Sequence, residues 1–273
     1  MIPLKIITLN TGNNSVLGGL LSIIKMENPD IVFLQEISVT TGQLKLFVAK
    51  YGYNAEANTD LLDITRLGTG IVWRSDVPVS EVTSVIDCRA QSAKLGSYNL
   101  INLYAPSGGN NKSQRRSFFG QDIFRLIRGI NSTSYPLLGG DYNCILSAMD
   151  TENNFEDKKC PALKDLVQGF NYSDAFRLVK PSVKEYTFHR KKCAPSRLDR
   201  FYVPQHCVQL VQDVSHHASL SDHHYVVIIL DLPNIDTIPL PPKSPPLYWK
   251  LNTSILQDDD FKENFKDFYK KLQ

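Results

Sequence analysis

The chain has 273 residues, of which 42 % are hydrophobic and 21 % charged; its 30 basic and 28 acidic side chains give a formal net charge of +2. This composition excludes wholesale disorder, collagen and a simple coiled coil, and the length suffices for one large α/β or all-β domain or two small ones. Because the charge is nearly balanced, a nucleic-acid partner requires a local basic patch. No apolar run approaches the roughly 20 residues that cross a bilayer, so we expect no membrane partner.

Short apolar runs alternate with stretches of helical periodicity along the chain. The runs predict strands at residues 4–9, 31–34, 70–73, 98–104, 136–138, 201–203 and 225–230. Apolar residues at helical spacing predict helices around residues 17–24, 44–51 and 119–130. Mixed elements at these spacings predict two β-sheets flanked by helices.

The composition changes after Leu232, where six prolines lie between residues 233 and 246. Such a segment is typical of an extended linker. Apolar residues then recur at helical spacing, from Phe261 to Leu272. We therefore predict a main domain over residues 1–232, a linker over 233–247 and a helical extension over 248–273.

Polar side chains stand where the predicted strands begin or end. They are Asn10, Glu36, Tyr104, Asp141, Asn143, Asp199, Asp222 and His223. One such residue alone is usually a turn cap, but together they suit hydrolysis at phosphorus. Carboxylate oxygens can hold a divalent ion, an aspartate can deprotonate water, and a histidine held by another aspartate can donate hydrogen bonds to a phosphate.

Six motifs in order resemble the endonuclease/exonuclease/phosphatase superfamily. They are Thr8-Leu9-Asn10, Leu34-Gln35-Glu36, Tyr104-Ala105-Pro106, Gly140-Asp141-Tyr142-Asn143, Ser196-Arg197-Leu198-Asp199 and Ser221-Asp222-His223. Within it, the chain is most similar to the apurinic-type endonuclease domain of LINE-type (non-LTR) retrotransposons such as Tx1-like elements. Tyr186-Thr187-Phe188 and the spacing from Asp141 to Asp150 belong to this likeness. The resemblance covers residues 1–232, and residues 248–252 separately resemble a segment leading to a reverse transcriptase.

The resemblance implies a four-layered α/β sandwich with a Mg²⁺ site, for which Mn²⁺ is the alternative ion. Glu36 would be the main metal ligand, with Asn10 as a further metal-site residue. Tyr104 would donate a hydrogen bond to the phosphate. Some relatives carry an acidic residue two positions after the asparagine, and Gly12 stands there instead, which weakens the case for a second metal ion.

The resemblance also implies roles in hydrolysis. Asp141 would position and activate the attacking water, with Asn143 beside it. His223 would contact the scissile phosphate and be oriented by Asp199. Asp222 would lie near the metal or the leaving group.

Two basic stretches can neutralise DNA phosphates. Residues 184–200 hold six basic and two acidic side chains, and residues 112–128 hold five basic and one acidic. The predicted DNA-binding residues are Arg190, Lys191, Lys192, Arg197, Arg115 and Arg116. The second stretch is equally consistent with a solvated helix face, whereas residues 189–196 resemble a variable hairpin that probes the DNA groove.

The leading hypothesis is a Mg²⁺-dependent endonuclease that nicks one strand of double-stranded DNA. The resemblance implies that the new 3′-hydroxyl primes reverse transcription, with element RNA and a reverse transcriptase region of the same polyprotein as partners. The site of action would be the nucleus, after synthesis in the cytoplasm. A phosphatase or deadenylase of the same superfamily and a catalytically dead DNA-binding module are the alternatives.

Overall fold

A computed structural model describes residues 3–12, 16–60, 62–63, 66–153, 155–191, 193–233 and 235. Lys192, most of the predicted linker and all of the predicted extension over 248–273 lie outside the described residues. The division of the chain after residue 232 therefore stays a prediction. No helix in the described part is long and apolar enough to cross a membrane.

The described strands form two mixed sheets of six strands each. The strands are β1 (Leu4–Asn10), β2 (Ile31–Ile37), β3 (Tyr53–Asn58), β4 (Gly68–Arg74), β5 (Val79–Ile86), β6 (Ala90–Leu95), β7 (Tyr98–Tyr104), β8 (Tyr135–Asp141), β9 (Tyr172–Asp174), β10 (Asp199–Pro204), β11 (Val211–His217) and β12 (Tyr225–Leu230). Sheet A has the order β11-β12-β1-β2-β4-β3 and sheet B the order β5-β6-β7-β8-β10-β9. Five of these strands, β3, β5, β6, β9 and β11, are additional to those predicted.

Helices connect the parallel strand pairs and cover the outer faces. They are α1 (Val16–Glu27), α2 (Thr41–Ala49), α3 (Lys112–Ser117), α4 (Phe124–Gly129), α5 (Phe155–Lys158), α6 (Pro161–Gly169) and α7 (Ala175–Val179). The parallel pairs β1–β2 and β7–β8 are joined through α1 and through α3–α4, as parallel pairing requires a crossover. A π-helical stretch over Phe118–Ile123 joins α3 to α4, so the predicted long helix is present but not uniformly α-helical.

Three apolar clusters separate the layers. Ile6 and Phe33 of sheet A meet Leu100 and Leu137 of sheet B in the central cluster. A second cluster lies between sheet A and helices α1 and α2, and a third between sheet B and the π-helical stretch, α4 and α6. The order helix–sheet–sheet–helix confirms the predicted four-layered α/β sandwich.

The space between the sheets becomes polar towards one end. Thr8, Gln35 and Asn102 continue the inward-facing rows of β1, β2 and β7, and all three are fully buried. Gln35 Nε2 donates to Thr8 Oγ1 at 2.9 Å and to Asn102 Oδ1 at 2.7 Å. This buried polar layer marks the end of the sandwich at which the site residues gather.

Strand β8 extends beyond the predicted 136–138 and includes the motif residues Gly139, Gly140 and Asp141. Glycine is required at both positions. A Cβ on Gly139 would overlap the Phe201 ring, and one on Gly140, which has φ of 140°, would overlap the carbonyl of Leu103. The two glycines therefore allow the strand to carry Asp141 into the site.

Candidate active site

Neighbouring strand ends bring the predicted residues together. In sheet B, Asp141 at the end of β8 pairs in register with Tyr104 on one side and Asp199 on the other. Sheet A supplies Asn10 at the end of β1 and Glu36 near the end of β2. The site therefore lies where both sheets open at the same end of the sandwich.

Asn10 joins the carboxylates of the two sheets. Its Nδ2 donates to Glu36 Oε1 at 3.0 Å and to Asp141 Oδ2 at 2.9 Å. Its Oδ1 instead accepts a hydrogen bond from the Gly12 amide at 2.9 Å. Asn10 therefore shapes the site as a hydrogen-bond donor to both carboxylates, and its place at a metal site stays a prediction.

Glu36 lies at an irregularity of the ladder between β2 and β4. The pairing skips from Gln35 to Ile37, and Glu36 has φ of 57°, a left-handed conformation that non-glycine residues rarely adopt. Thr11 Oγ1 donates to the Glu36 carbonyl at 2.9 Å, and Tyr104 Oη donates to Glu36 Oε1 at 3.2 Å. Burial, with the charge of Glu36, raises the pKa of Tyr104 well above its usual value, so this hydroxyl stays a donor.

Asp141 is fully buried beside Asn143. The Asn143 amide donates to Asp141 Oδ1 at 2.9 Å, and Asn143 Nδ2 donates to Asp141 Oδ2 at 2.9 Å. Asn143 is held in a left-handed conformation by a hydrogen bond from Nδ2 to the carbonyl of Ala105. Burial and the nearby charge of Asp199 raise the pKa of Asp141 to about 7, which suits a group that exchanges a proton with water.

Asp199 and His223 form a buried pair in which His223 Nδ1 lies 2.8 Å from Asp199 Oδ2. Thr187 Oγ1 accepts hydrogen bonds from the backbone amides of Leu198 and Asp199 and so fixes the start of β10. Burial alone would lower the pKa of His223, but the Asp199 carboxylate outweighs it and the pKa rises to about 9. His223 therefore carries a proton on both ring nitrogens at neutral pH.

Asp222 faces the rim of the site. Its Oδ2 accepts a hydrogen bond from Arg190 Nε at 2.8 Å, and its side chain is 22 % exposed. The adjacent Ser221 Oγ donates to the Asn10 carbonyl at 2.8 Å, which ties this loop to β1. The described contacts of Asp222 are thus to a basic side chain of the hairpin, and its predicted place beside a metal or leaving group stays a prediction.

The site residues open into a cleft of about 860 Å³, and four basic side chains, together with the acidic Asp157, are among the residues that line it. Besides catalytic candidates, it is lined by Lys112, Arg115, Lys158, Phe188 and Arg190. Arg190 is 64 % exposed, and Lys191 and Arg116 are exposed as well. These side chains are available to a ligand in or beside the cleft.

Two predicted DNA-binding arginines have structural partners instead. Arg197 is 1 % exposed and forms ion pairs with Asp150 at 2.9 Å and Asp174 at 2.6 Å, so it cannot reach a DNA phosphate. Arg115 is 4 % exposed and donates to the carbonyl of Pro106, although it borders the cleft. Both side chains are bound within the fold. This corrects the DNA-binding role predicted for Arg197 and limits the contact that Arg115 can make with DNA.

The oxygen atoms of the site fit a divalent cation. Oxygens of Asp141 and Asp199 and a ring nitrogen of His223 lie within 4.8 Å of one another. Asp199 Oδ1 is buried and has no hydrogen-bond partner among the described residues, and Glu36 uses only Oε1 in the described hydrogen bonds. Free carboxylate oxygens at a closed polar site are the donors that Mg²⁺ prefers.

Sequence reasoning missed several residues that build the site. Thr187 belongs to a quoted motif but received no role, and it positions Asp199. Lys158 Nζ donates to the Ala194 carbonyl and to Ser196 Oγ and so anchors the hairpin. No sequence signal distinguishes Lys158 from an ordinary surface lysine.

Comparisons with known proteins agree with this geometry. A model described as the Endonuclease/Exonuclease/phosphatase family matches residues 7–223. The chain is 29 % identical over 285 residues to the Transposon TX1 uncharacterized 149 kDa protein of Xenopus laevis, aligned over 98 % of this chain but only 21 % of that protein. It is 24 % identical over 262 residues to a DNA-(apurinic or apyrimidinic site) endonuclease of Dictyostelium discoideum, covering 84 % of this chain and 71 % of that one.

The solved structure of an AP endonuclease from Archaeoglobus fulgidus shares the fold. It superposes with a TM-score of 0.73 at 19 % identity and covers 84 % of this chain and 100 % of its own. The match to the family model spans all the strand ends that supply the site, from Asn10 to His223. By sequence, by fold and by the residues gathered at these strand ends, the chain belongs to the endonuclease/exonuclease/phosphatase family.

Proposed function

We propose that the chain is a Mg²⁺-dependent DNA endonuclease that hydrolyses one phosphodiester of duplex DNA and leaves a 3′-hydroxyl and a 5′-phosphate. The observation that carries the proposal is the bridging of Glu36 and Asp141 by Asn10, next to the Asp199–His223 pair, inside a basic cleft. Similarity to a DNA endonuclease and to a transposon protein supports this substrate and this setting.

The described residues divide the work of hydrolysis. Asp141, whose pKa burial and the Asp199 charge raise to about 7, orients a water molecule and accepts its proton. His223, protonated at neutral pH, directs Nε2 away from Asp199 and donates to a phosphate oxygen. Asn143 keeps the Asp141 carboxylate in one orientation through two hydrogen bonds. When bound, a divalent ion at the Glu36 carboxylate would offset negative charge on the phosphate.

The walls of the cleft fit a phosphate backbone. Lys112 and Arg190 border it with partly exposed side chains, and Lys158 lines the same wall. Basic groups at these places neutralise DNA phosphates without regard to sequence. The ring centroids of Phe188 and His223 lie 5.0 Å apart. The base of the hairpin that we propose meets DNA is therefore in contact with a proposed catalytic residue.

The likeness to the transposon protein supports the biological setting that we propose. The new 3′-hydroxyl would prime reverse transcription of element RNA by a reverse transcriptase region of the same polyprotein. This step would take place in the nucleus, after synthesis in the cytoplasm. The chain spans about one fifth of the transposon protein to which it aligns, and these roles are proposed for the whole protein.

Incubation of the chain with supercoiled plasmid and Mg²⁺ tests the activity. We expect open-circular product, no product with EDTA, and extension of the nick by a DNA polymerase, which requires a free 3′-hydroxyl. Phosphate release from inositol phosphates, or shortening of poly(A), without nicking would replace the proposal by a phosphatase or a deadenylase. A gel shift without product from any substrate would indicate a DNA-binding module.

A further inference from the structure

A buried asparagine of sheet B reaches across the sandwich to the strands that carry Glu36. Asn102 lies in the middle of β7 and is fully buried. Its Nδ2 donates to the carbonyl of Leu34 at 3.0 Å and to the carbonyl of Gly70 at 2.9 Å. Leu34 and Gly70 are paired neighbours on β2 and β4 of sheet A, so one side chain is hydrogen-bonded to both strands.

These contacts lie directly before the irregularity of the β2–β4 ladder that sets the position of the Glu36 side chain. The β2–β4 ladder is regular through Leu34 and Gln35 and then skips Glu36, whose φ is 57°. A non-glycine residue keeps such a conformation only where its surroundings over-determine it. Asn102 supports this conformation from the opposite sheet through its two donated hydrogen bonds. Its Oδ1 also accepts a hydrogen bond from Gln35 Nε2 at 2.7 Å.

Packing alone does not explain an amide at this position. Tyr98 and Leu100, the preceding inward-facing residues of β7, belong to the apolar central cluster. A buried amide is costly unless it is fully hydrogen-bonded, and an apolar side chain would avoid that cost. Asn102 uses its donor and acceptor capacity on Leu34 and Gln35, which precede Glu36, and on Gly70, which pairs with Leu34.

We propose that Asn102 is a positioning residue for Glu36: its cross-sheet hydrogen bonds hold the bulge that keeps the Glu36 carboxylate beside Asn10 and Tyr104. The inference rests on the proposed function, in which that carboxylate holds the divalent ion. Asn102 itself is covered by the sheets and touches no substrate. Its replacement should weaken the site through Glu36 and leave the other groups in place.

Asn58 offers a matched control. It is also a buried asparagine that links the two sheets, with Nδ2 donating to the carbonyls of Ile86 and Ala90 and Oδ1 accepting from the Cys88 amide. None of these three partners belongs to the bulge, and the one described side-chain contact of Asn58 that faces it is a longer hydrogen bond, at 3.4 Å, from Nδ2 to the side chain of Thr69. Asn102→Leu and Asn58→Leu each remove one buried cross-sheet amide, but only the first removes hydrogen bonds to the backbone of the β2–β4 ladder directly before Glu36.

Binding of Mn²⁺ to the full chain, followed by electron paramagnetic resonance, gives a readout that does not depend on cleavage. We expect Asn102→Leu to weaken Mn²⁺ binding by about 10- to 100-fold, as loss of a residue supporting a metal ligand does. Asn58→Leu should bind as the wild type does. Unchanged binding in Asn102→Leu, or equal weakening in both variants, would overturn the proposal. If Asn102→Leu does not fold, Asn102→Ser, which retains one donor, is measured instead against Asn58→Ser.

Plasmid nicking supplies a second test. On a Glu36→Gln background, Asn102→Leu should lower nicking no further, because both changes act through one carboxylate. A further loss equal to that seen with Glu36 intact would count against the proposal. If the wild type does not nick DNA, the proposed function fails, while the Mn²⁺ titration still decides the role of Asn102. If the wild type binds no Mn²⁺, amide hydrogen exchange decides. Faster exchange at residues 34–37 in Asn102→Leu alone supports the proposal, and equal exchange in both variants refutes it.

Discussion

His223 and Asp199 form an ion pair in which Nδ1 and Oδ2 are 2.8 Å apart and both side chains are nearly inaccessible to solvent. The pairing directs the second ring nitrogen, Nε2, away from the carboxylate and lets it remain protonated. A histidine in this state can act on a phosphate oxygen only as a donor. The arrangement therefore separates the roles of His223 and Asp141, which stands ready to accept a proton.

The charge of Asp199 should be measurable in the titration of His223. In the presence of EDTA, Asp199→Asn should lower the pKa of His223 from about 9, because the carboxylate outweighs the effect of burial. Histidine proton resonances followed by NMR check this, with His206, beside Tyr135 at the far end of β8, as internal control. If the pKa of His223 did not change in Asp199→Asn, the effect assigned to the Asp199 carboxylate would be contradicted.

The same shift predicts the pH dependence of stability. Since the pKa of His223 is raised in the folded state, the pair stabilises the fold fully below the unfolded value of about 6.5. This contribution is lost as the pH rises towards 9. The difference in unfolding free energy between wild type and Asp199→Asn, measured with urea, should therefore shrink from pH 6 to pH 9. A constant difference would mean that the pair is not responsible.

Glu36→Gln should abolish most nicking while DNA binding persists. The change keeps the size of the side chain but removes the charge that attracts the cation, so we expect a loss of about 100-fold or more. Affinity in a gel shift should hold because it depends on lysine and arginine contacts to phosphates. Glu81→Gln is the matched control, since Glu81 also has a left-handed conformation, with φ of 47°, but lies on the edge strand β5. Near-normal nicking by Glu36→Gln at saturating Mg²⁺ would remove Glu36 from the metal site.

Asp141→Asn and His223→Ala should not combine multiplicatively. If both groups serve one hydrolytic step, the double variant should nick little more slowly than the slower single variant. Asp141→Asn combined with Arg190→Ala is the comparison, because we propose that Arg190 binds DNA, so that its effect should multiply. Rates from single-turnover nicking separate these cases. Multiplicative losses for the first pair would show that the two residues act in different steps.

The hairpin around Arg190 should determine where the enzyme nicks. We expect a Gly-Ser replacement of residues 190–193 to spare the chemistry but to spread the cleavage positions, if basic side chains of this segment contact the DNA groove as proposed. Phe188 and Ser196 stay unchanged because they hold His223 and the base of the hairpin through backbone bridges. High-throughput mapping of nicks on a long random duplex measures the effect. With the fold intact, an unchanged map would shift the specificity to the exposed residues of 112–128, such as Arg116.

Arg197 should be needed for stability rather than for DNA. Its guanidinium is 1 % exposed between Asp150 and Asp174, so Arg197→Ala removes an ion-pair partner from both carboxylates and leaves Asp150 only Arg177 among the described ion pairs; we expect a cost of about 3 kcal/mol in unfolding free energy. Arg190→Ala, at an exposed site, should change stability by less than about 0.5 kcal/mol. Urea denaturation checks both values. Equal and small effects would restore Arg197 to the candidates for DNA contact.

The amino-acid sequence indicates which chemical groups the candidate site contains. Residues with carboxylate, amide and imidazole groups stand at the ends of apolar runs, and the motif order indicates which groups belong together. The strand ends can be predicted because a buried strand is recognised by its continuous apolar residues, such as those of β2 and β12. Edge strands such as β5 and β11 were missed because their mixture of exposed and partly buried residues lacks that signal.

The partner of each group, in contrast, depends on how the two sheets pack together. Asn10 bonds to Asp141, 131 positions away, and Arg197 to Asp150, 47 positions away. The left-handed bulge at Glu36, and the asparagine of the opposite sheet that holds it, depend equally on strands remote in the sequence. A residue's type sets what it can bind, whereas burial and the charges packed against it set whether it binds solvent, DNA or the protein itself. Those are properties of the packed sheets and not of any local segment.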